Sequence, residues 1–215
     1  MNYKEISLFK GIPEGFCEKI VKDLNAAERS YVSGQEICDY ADCGDFVGVV
    51  TEGEAFVERI DVNGYRTILE RVRKGEIFGK AMAYASGEDC VSAVCYKNCK
   101  VLFFDSGRIS AYAEGDFHYR NEMLANIISL FFNKTAYLSD RVEVISHRNT
   151  REKLMRYFRL LAGDGETALL PFSFSQLADY ICADRSAMMR ELKCMKEDGL
   201  ISVEKRRITI LGDTV

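Results

Sequence analysis

The amino-acid sequence predicts an α+β fold: a β-rich N-terminal half, one long helix, then a C-terminal helical pair followed by a short β-hairpin. Three observations carry this. Eight of the sixteen glycines lie between Gly34 and Gly87, spaced like turns between short strands. Apolar residues then recur every seven positions from Phe117 to Ile145, the period that lets two helices keep one seam in contact. Finally, the stretch Ser173 to Leu200 carries the start and stop signals of two helices joined by a tight turn.

Residues 1–30 read as one or two short helices, with Phe9, Ile12, Phe16, Ile20 and Leu24 as an apolar stripe interrupted near Gly11 and Pro13. From Tyr31 to Phe104 the character is β. FVGVVTEGEAFVERID reads as two strands around Glu52-Gly53, and VNGYRTILERV follows with Asn63-Gly64 as a hairpin signal. VSAVCYKNCKVLFFD supplies at least one further pair. Short strands with this turn rhythm form a small β-sandwich or β-roll.

A long helix comes next, with Asp116 as its cap. Phe117, Leu124, Phe131, Leu138 and Ile145 fall at sevens, flanked by Ile127, Ile128, Thr135 and Val142, and the expectation is a parallel homodimer. Ser146 to Thr150 is polar and reads as a hinge. REKLMRYFRLLA is an amphipathic helix ending at Gly163-Asp164-Gly165, and Pro171 introduces the helical pair.

In that pair, Ser173 with Gln176 makes a capping box, and Leu177, Ala178 and Ile181 form an inner face. Cys182-Ala183-Asp184 is the turn. Asp184 caps a second helix running from Arg185 to about Glu197 and stopping at Gly199. Met188, Leu192 and Met195 face inward, whereas Ser186, Arg190 and Lys193 follow the same rhythm on another face. That outer face is short, polar and cationic, as a helix lying in a DNA major groove requires. LISVEKRRITILG then reads as two strands around a basic tip, Lys205-Arg206-Arg207, a wing suited to a phosphate backbone. The expected domains are 1–115, 116–146 and 147–215.

Charge agrees with this division. The chain has 215 residues and a net charge of -4, but residues 147–215 hold twelve Lys/Arg against ten Asp/Glu while the remainder is net acidic. A nucleic-acid surface must therefore be local, on one helix and its adjoining loops. No run of about eighteen apolar residues and no basic-then-apolar leader is present, so the expected location is the cytoplasm, with no membrane partner. The only histidines are His118 and His147, and no P-loop, nucleophile elbow or metal triad occurs. No enzymatic activity and no catalytic residue is expected.

Eight cysteines do not make a secreted disulfide pattern in a chain of this length. Cys90, Cys95 and Cys99 cluster, but their spacing fits no zinc pattern, and on a strand Cys90 faces away from the other two. They read as buried, inert side chains, and no metal is expected. Two rival readings remain: a cysteine-based redox or metal sensor, and an effector-binding module that contacts protein instead of DNA.

With the β-region, the heptad helix and the winged helix-turn-helix in this order, the chain resembles the catabolite activator/FNR (Crp/Fnr) family of bacterial transcription factors. The resemblance runs from Leu8 to Leu211 and is carried by GEIFGKAMAY at 75–84 and ADRSAMMRELKCMKEDGLI at 183–201. It implies an N-terminal double-stranded β-helix or jelly roll of the cyclic-nucleotide-binding type that senses a small effector. It further implies a dimerisation helix and two winged domains on a palindromic operator in double-stranded DNA, with RNA polymerase as a further partner. By the same resemblance the effector pocket comprises Gly75, Glu76, Phe78, Gly79, Lys80, Met82, Val91 and Ser92.

Two departures matter. Lys80 stands where cyclic-AMP-binding members carry a ribose-holding glutamate, and Val91 stands where they carry a phosphate-holding arginine. A desolvated cyclic phosphate without its cation costs several kcal/mol, so the cofactor is unknown and is not expected to be cyclic AMP. On the recognition helix the family's base-reading positions are Arg185, Ser186 and Arg190. Arg190 suits a guanine edge and Arg185 a phosphate or a base, with Lys193 on the same face. Ser186 lacks the carboxylate that accepts from cytosine, so the operator differs from the activator's. Ser173, Ser175 and Gln176 are candidate phosphate clamps at a helix N-terminus, and Arg206 contacts the backbone from the wing.

Overall fold

The computed structural model describes residues 3–79, 90–114 and 118–212. The chain divides into two compact units, Met1–Lys134 and Thr135–Val215.

The first unit opens with two 3-10 turns, Tyr3–Glu5 and Ser7–Phe9, before helix α1 (Glu14–Asp23). Phe9, Ile12, Ile20 and Leu24 of the expected stripe are buried. Strand structure starts earlier than expected, at β1 (Ala27–Tyr31), instead of at Tyr31. Four of these five residues are exposed, so β1 has no alternating pattern to betray it.

Two very long strands build the sheet. β3 (Phe46–Ile60) and β6 (Cys90–Asp105) pair antiparallel from Phe46↔Asp105 to Ile60↔Cys90. β1 and β2 (Glu36–Asp39) lie along β6, and β4 (Arg66–Arg73) and the short β5 (Ile77–Phe78) lie along β3. The expected break of β3 into two strands at Glu52-Gly53 is therefore incorrect. The ladder is irregular there, with register shifts from Val50 to Ala55, but it does not turn. Gly53 has φ +75, and a Cβ on it would stand 2.1 Å from the Asn98 carbonyl oxygen. The glycine marks a bulge and a close crossing, not a hairpin. The expected pair within 91–105 is corrected likewise to one strand. The hairpin at Asn63-Gly64 is present, with a five-residue loop between Ile60 and Arg66. Asp61 Oδ1 accepts from the Asn63 and Tyr65 amides, and Gly64 takes φ +79.

After β6 come α2 (Ser106–Glu114) and α3 (Arg120–Ser146). The long helix starts at Arg120; Asp116 and Phe117 lie outside the described residues, and His118-Tyr119 form a turn. Within the first unit α3 is fastened by specific polar contacts. Asn126 donates to the Leu8 and Lys10 carbonyls at 3.0 and 2.8 Å. Lys134 Nζ lies 2.8 and 2.7 Å from the two Glu70 carboxylate oxygens and 3.2 Å from the Ile77 carbonyl. Both side chains are about nine-tenths buried, so the pair is held largely out of water.

In the second unit α3 ends at Ser146. Asn149 caps α4 (Thr150–Ala162) through the Glu152 amide at 2.9 Å. A short strand that no sequence signal announced, β7 (Thr167–Leu169), precedes α5 (Phe174–Ile181) and α6 (Arg185–Glu197). β8 (Ile201–Glu204) and β9 (Arg207–Ile210) complete a three-stranded sheet in the order β7-β9-β8. Three residues are too few for a visible alternation.

Removing one partner of a buried ion pair costs about 3–5 kcal/mol. Lys134→Met should lower stability by about this amount in urea unfolding, and Lys134→Met with Glu70→Leu should recover most of it.

Candidate nucleic-acid interface

The helical pair is built from local chemistry at its three ends. Ser173 Oγ accepts from the Gln176 amide at 3.3 Å, and Gln176 Oε1 accepts from the Ser173 amide at 2.9 Å. This reciprocal box starts α5. Cys182 takes a left-handed φ of +54, and the Ala183 amide donates back to the Ala178 carbonyl at 3.0 Å, which closes α5. Asp184 Oδ1 then accepts from the Ala187 amide at 2.8 Å and starts α6. At the far end Gly199 adopts φ +71 and the Leu200 amide donates to the Met195 carbonyl at 3.0 Å.

One stripe of α6 is fully used for packing. Met188, Leu192 and Met195 are buried, in the same unit as buried Leu154, Phe158, Leu177 and Ile181. Arg151 at the start of α4 adds a polar clamp, with Nε 2.5 Å from Glu191 and one terminal nitrogen 2.7 Å from Asp198. These hydrogen bonds, Glu191's first, raise the Arg151 pKa further above its ordinary value. On α3, Arg141 is buried with its guanidinium 5.2 Å from the Tyr180 ring, and it donates to the Tyr180 carbonyl at 3.4 Å. Neither Arg151 nor Arg141 stood out in the sequence, because their partners lie about forty positions away.

The opposite stripe is open. Arg185, Ser186, Arg190 and Lys193 are all exposed on α6, with Lys193 3.7 Å from Glu197. Sequence reasoning missed Met189, which is 42% exposed within this stripe. Its signal was available, since it sits three residues after Ser186 and four before Lys193. Ser173, Ser175 and Gln176 are half-buried at the α5 N-terminus, and two of them are engaged in the cap. In the β8–β9 turn, Lys205 has φ +55, and the Arg206 carbonyl accepts from the Leu170 amide at 2.8 Å, leaving the Arg206 side chain exposed.

Of the pocket residues, Lys80 and Met82 lie outside the described residues. Gly75 and Glu76 form the turn before β5. Gly75 takes φ +85 and donates to the Val50 carbonyl at 2.7 Å, and Glu76 is bound to Arg73 at 2.6 Å. Phe78 and Val91 belong to one buried apolar cluster, with Phe78 edge-on to Phe46 and Phe103. Gly79 crosses so close to β3 that a Cβ would lie 2.2 Å from the Phe46 carbonyl oxygen. Ser92 is half-buried opposite Asp39 and Glu58.

Cys95 and Cys99 are buried as expected, but Cys90, expected to be buried with them, is exposed, because the strand alternation turns it to the other face. All eight cysteines are free thiols. Burial pushes Cys38 up to about 12, and burial together with the neighbouring Cys95 pushes Cys99 up to about 12, which suppresses their thiolate forms near neutral pH. Among the described residues no cluster of three or more side chains suits a metal ion, and no helix is long and apolar enough to cross a membrane. His118 stacks on Phe16, and His147 lies 3.7 Å from Glu152.

The family model for the cyclic nucleotide-binding domain matches residues 28–116, and that for the Crp-like helix-turn-helix domain matches residues 152–212. The chain belongs to the Crp/Fnr family of transcription regulators. Solved Crp/Fnr-type structures share the fold. A CooA mutant from Carboxydothermus hydrogenoformans aligns with a TM-score of 0.72 at 13% identity, covering 90% of this chain and 86% of that one. OCPA-complexed CprK aligns at 0.69 and 18%, covering 91% and 92%. The c-di-GMP-responsive global regulator CLP of Xanthomonas campestris aligns at 0.70 and 14%, covering 94% and 100%. No curated protein matches the chain. The Crp/Fnr family is one of DNA-binding regulators, and this member keeps both the effector-type β-roll and the Crp-like helix-turn-helix.

Because each helix of the pair depends on one capping side chain, Ser173→Ala and Asp184→Ala should each lower stability by about 1 kcal/mol. Urea unfolding monitored by circular dichroism measures both.

Proposed function

We propose that this regulator acts as a homodimer that reads a palindromic duplex through α6, under the control of an effector other than cyclic AMP. The observation that carries the reading is the division of α6. Met188, Leu192 and Met195 hold it, and Arg185, Ser186, Arg190 and Lys193 stay exposed. Residues 1–115 would form the effector domain, 116–146 the dimerisation helix and 147–215 the DNA-binding domain. RNA polymerase would be the partner of the DNA-bound dimer, and the cytoplasm its location.

Within that reading, Arg190 sits bidentate on a guanine O6/N7 edge, and Arg185 contacts a phosphate or a base near the helix start. Lys193 and the wing residue Arg206 neutralise phosphates. Ser175 and the side-chain nitrogen Nε2 of Gln176 serve the α5 N-terminus, since Ser173 Oγ, Gln176 Oε1 and the Gln176 backbone amide are engaged in the cap.

Dimerisation is supported by the α3 heptads. Ile128, Thr135 and Val142 share one seam position, all β-branched, and Leu124, Phe131, Leu138 and Ile145 share the other. β-branched residues at the first position with leucine at the second, as at Leu124 and Leu138, favour two parallel strands. Ile128, Phe131, Leu138 and Val142 are large, apolar and exposed on the single chain. The two recognition helices would then enter successive major grooves about 34 Å apart.

An effector other than cyclic AMP is supported by Lys80 and Val91 in place of the ribose- and phosphate-holding side chains. The burial of Val91 in the apolar cluster supports it too. Of the proteins that share this fold, CprK has been solved in complex with OCPA and CLP is responsive to c-di-GMP. In this chain the pocket would lie beside Gly75, Glu76, Phe78, Gly79, Lys80, Met82, Val91 and Ser92.

Arg190→Ala should cost about 1–3 kcal/mol on the preferred duplex and relax sequence preference. Arg206→Ala should weaken every duplex alike and reduce the slope of log K against log salt by about 0.9 per protomer. Fluorescence anisotropy over a salt series separates the two, and equal effects of both changes on all sequences would defeat the assignment. Phe131→Glu places a charge in the seam and should yield a monomer by light scattering at micromolar concentration. Wild type that is already monomeric there would remove the dimer.

A further inference from the structure

We propose that Met189 reads the 5-methyl group of a thymine in the operator, a specificity contact that rests on the DNA-binding reading above. Two consecutive methionines on α6 have opposite fates. Met188 is fully buried, whereas Met189 is 42% exposed and takes no part in the core. Its neighbours one turn away are Arg185, Ser186 and Lys193, and Arg190 follows it. Met189 is thus a single large apolar side chain set inside the polar, cationic stripe.

An isolated exposed apolar residue on an ordinary surface needs no explanation. Here the surface is the one that faces base edges, and the position carries chemical information. Guanine, cytosine and adenine present hydrogen-bonding atoms in the major groove, and thymine alone adds a methyl group. A thioether packed over a cytosine amino group or a guanine oxygen would bury that polar atom without a partner, a cost that selects against those bases. Packed over a thymine methyl, the same side chain removes apolar surface from water on both sides. Methionine's three rotatable bonds let its tip follow the methyl while the helix stays where Met188, Leu192 and Met195 hold it. Ser186 beside it lacks the carboxylate that would accept from a cytosine amino group. In this chain the apolar contact takes over discrimination at that part of the stripe.

The test starts from duplexes enriched from a random pool by the full-length protein. Each thymine of the enriched half-site is then replaced singly by deoxyuridine, which deletes only the methyl group, and affinity is measured at one salt concentration. One thymine per half-site should prove methyl-dependent, with about fourfold weaker binding per half-site and roughly fifteenfold when both are changed. Met189→Ser should bind with little loss of phosphate-driven affinity and show the same affinity for thymine and deoxyuridine. Met189→Leu should retain the dependence. An enriched duplex indifferent to every methyl, or a Met189→Ser protein as methyl-sensitive as wild type, overturns this contact and leaves DNA binding standing. Enriched half-sites that contain no thymine overturn the contact and likewise leave DNA binding standing.

Discussion

A thirteen-residue helix has about three and a half turns, and it cannot be held rigidly and also present every side to a ligand. In α6 this conflict is resolved by confining the anchoring to one stripe. Met188, Leu192 and Met195 take up the buried stripe, and Arg151 pins the helix from α4 through Glu191 and Asp198. Asp184 and Gly199 fix where the helix starts and stops. What remains is a surface of defined direction, free of packing duties. Every functional statement about the C-terminal unit depends on that separation.

The N-terminal unit obeys a different constraint. Its two long strands lie against each other over their whole length, so local backbone must bend where neighbours crowd. Gly53 and Gly79 stand at such crossings, each within about 2 Å of placing a side-chain atom on a carbonyl oxygen. The interior is filled by Phe78, Val91, Cys95, Cys99 and their neighbours. The raised thiol pKa values of Cys38 and Cys99 follow from the same filling.

Polar contacts that reach across the sequence give each unit its rigidity. Lys134 and Glu70 are 64 positions apart, and the buried lysine is satisfied by two carboxylate oxygens and a backbone carbonyl. A charged group is tolerated at that depth because every donor direction is occupied. Arg141 meets Tyr180 through both a carbonyl and a ring face, which fixes the end of α5 against α3 inside the second unit.

Much of the C-terminal unit was legible from residue order because its determinants are local. Capping boxes, left-handed closures and inward stripes act within four residues of one another, so Ser173, Gln176, Asp184, Met188 and Leu192 declared their roles directly. The inward alternation of Cys95 and Cys99 was legible for the same reason. The β-roll was legible as a class, but not in its strands. Gly53 carries the same signal whether it makes a turn or a bulge, and only the approach of Asn98 decides between them. β1 and β7 are too short or too exposed to show a period. Residue order alone determined the helices, their ends and the faces they divide, since these depend on neighbours along the chain. Tertiary structure alone decided which glycines bend a strand and which charges are buried in pairs, since these depend on atoms brought from far away.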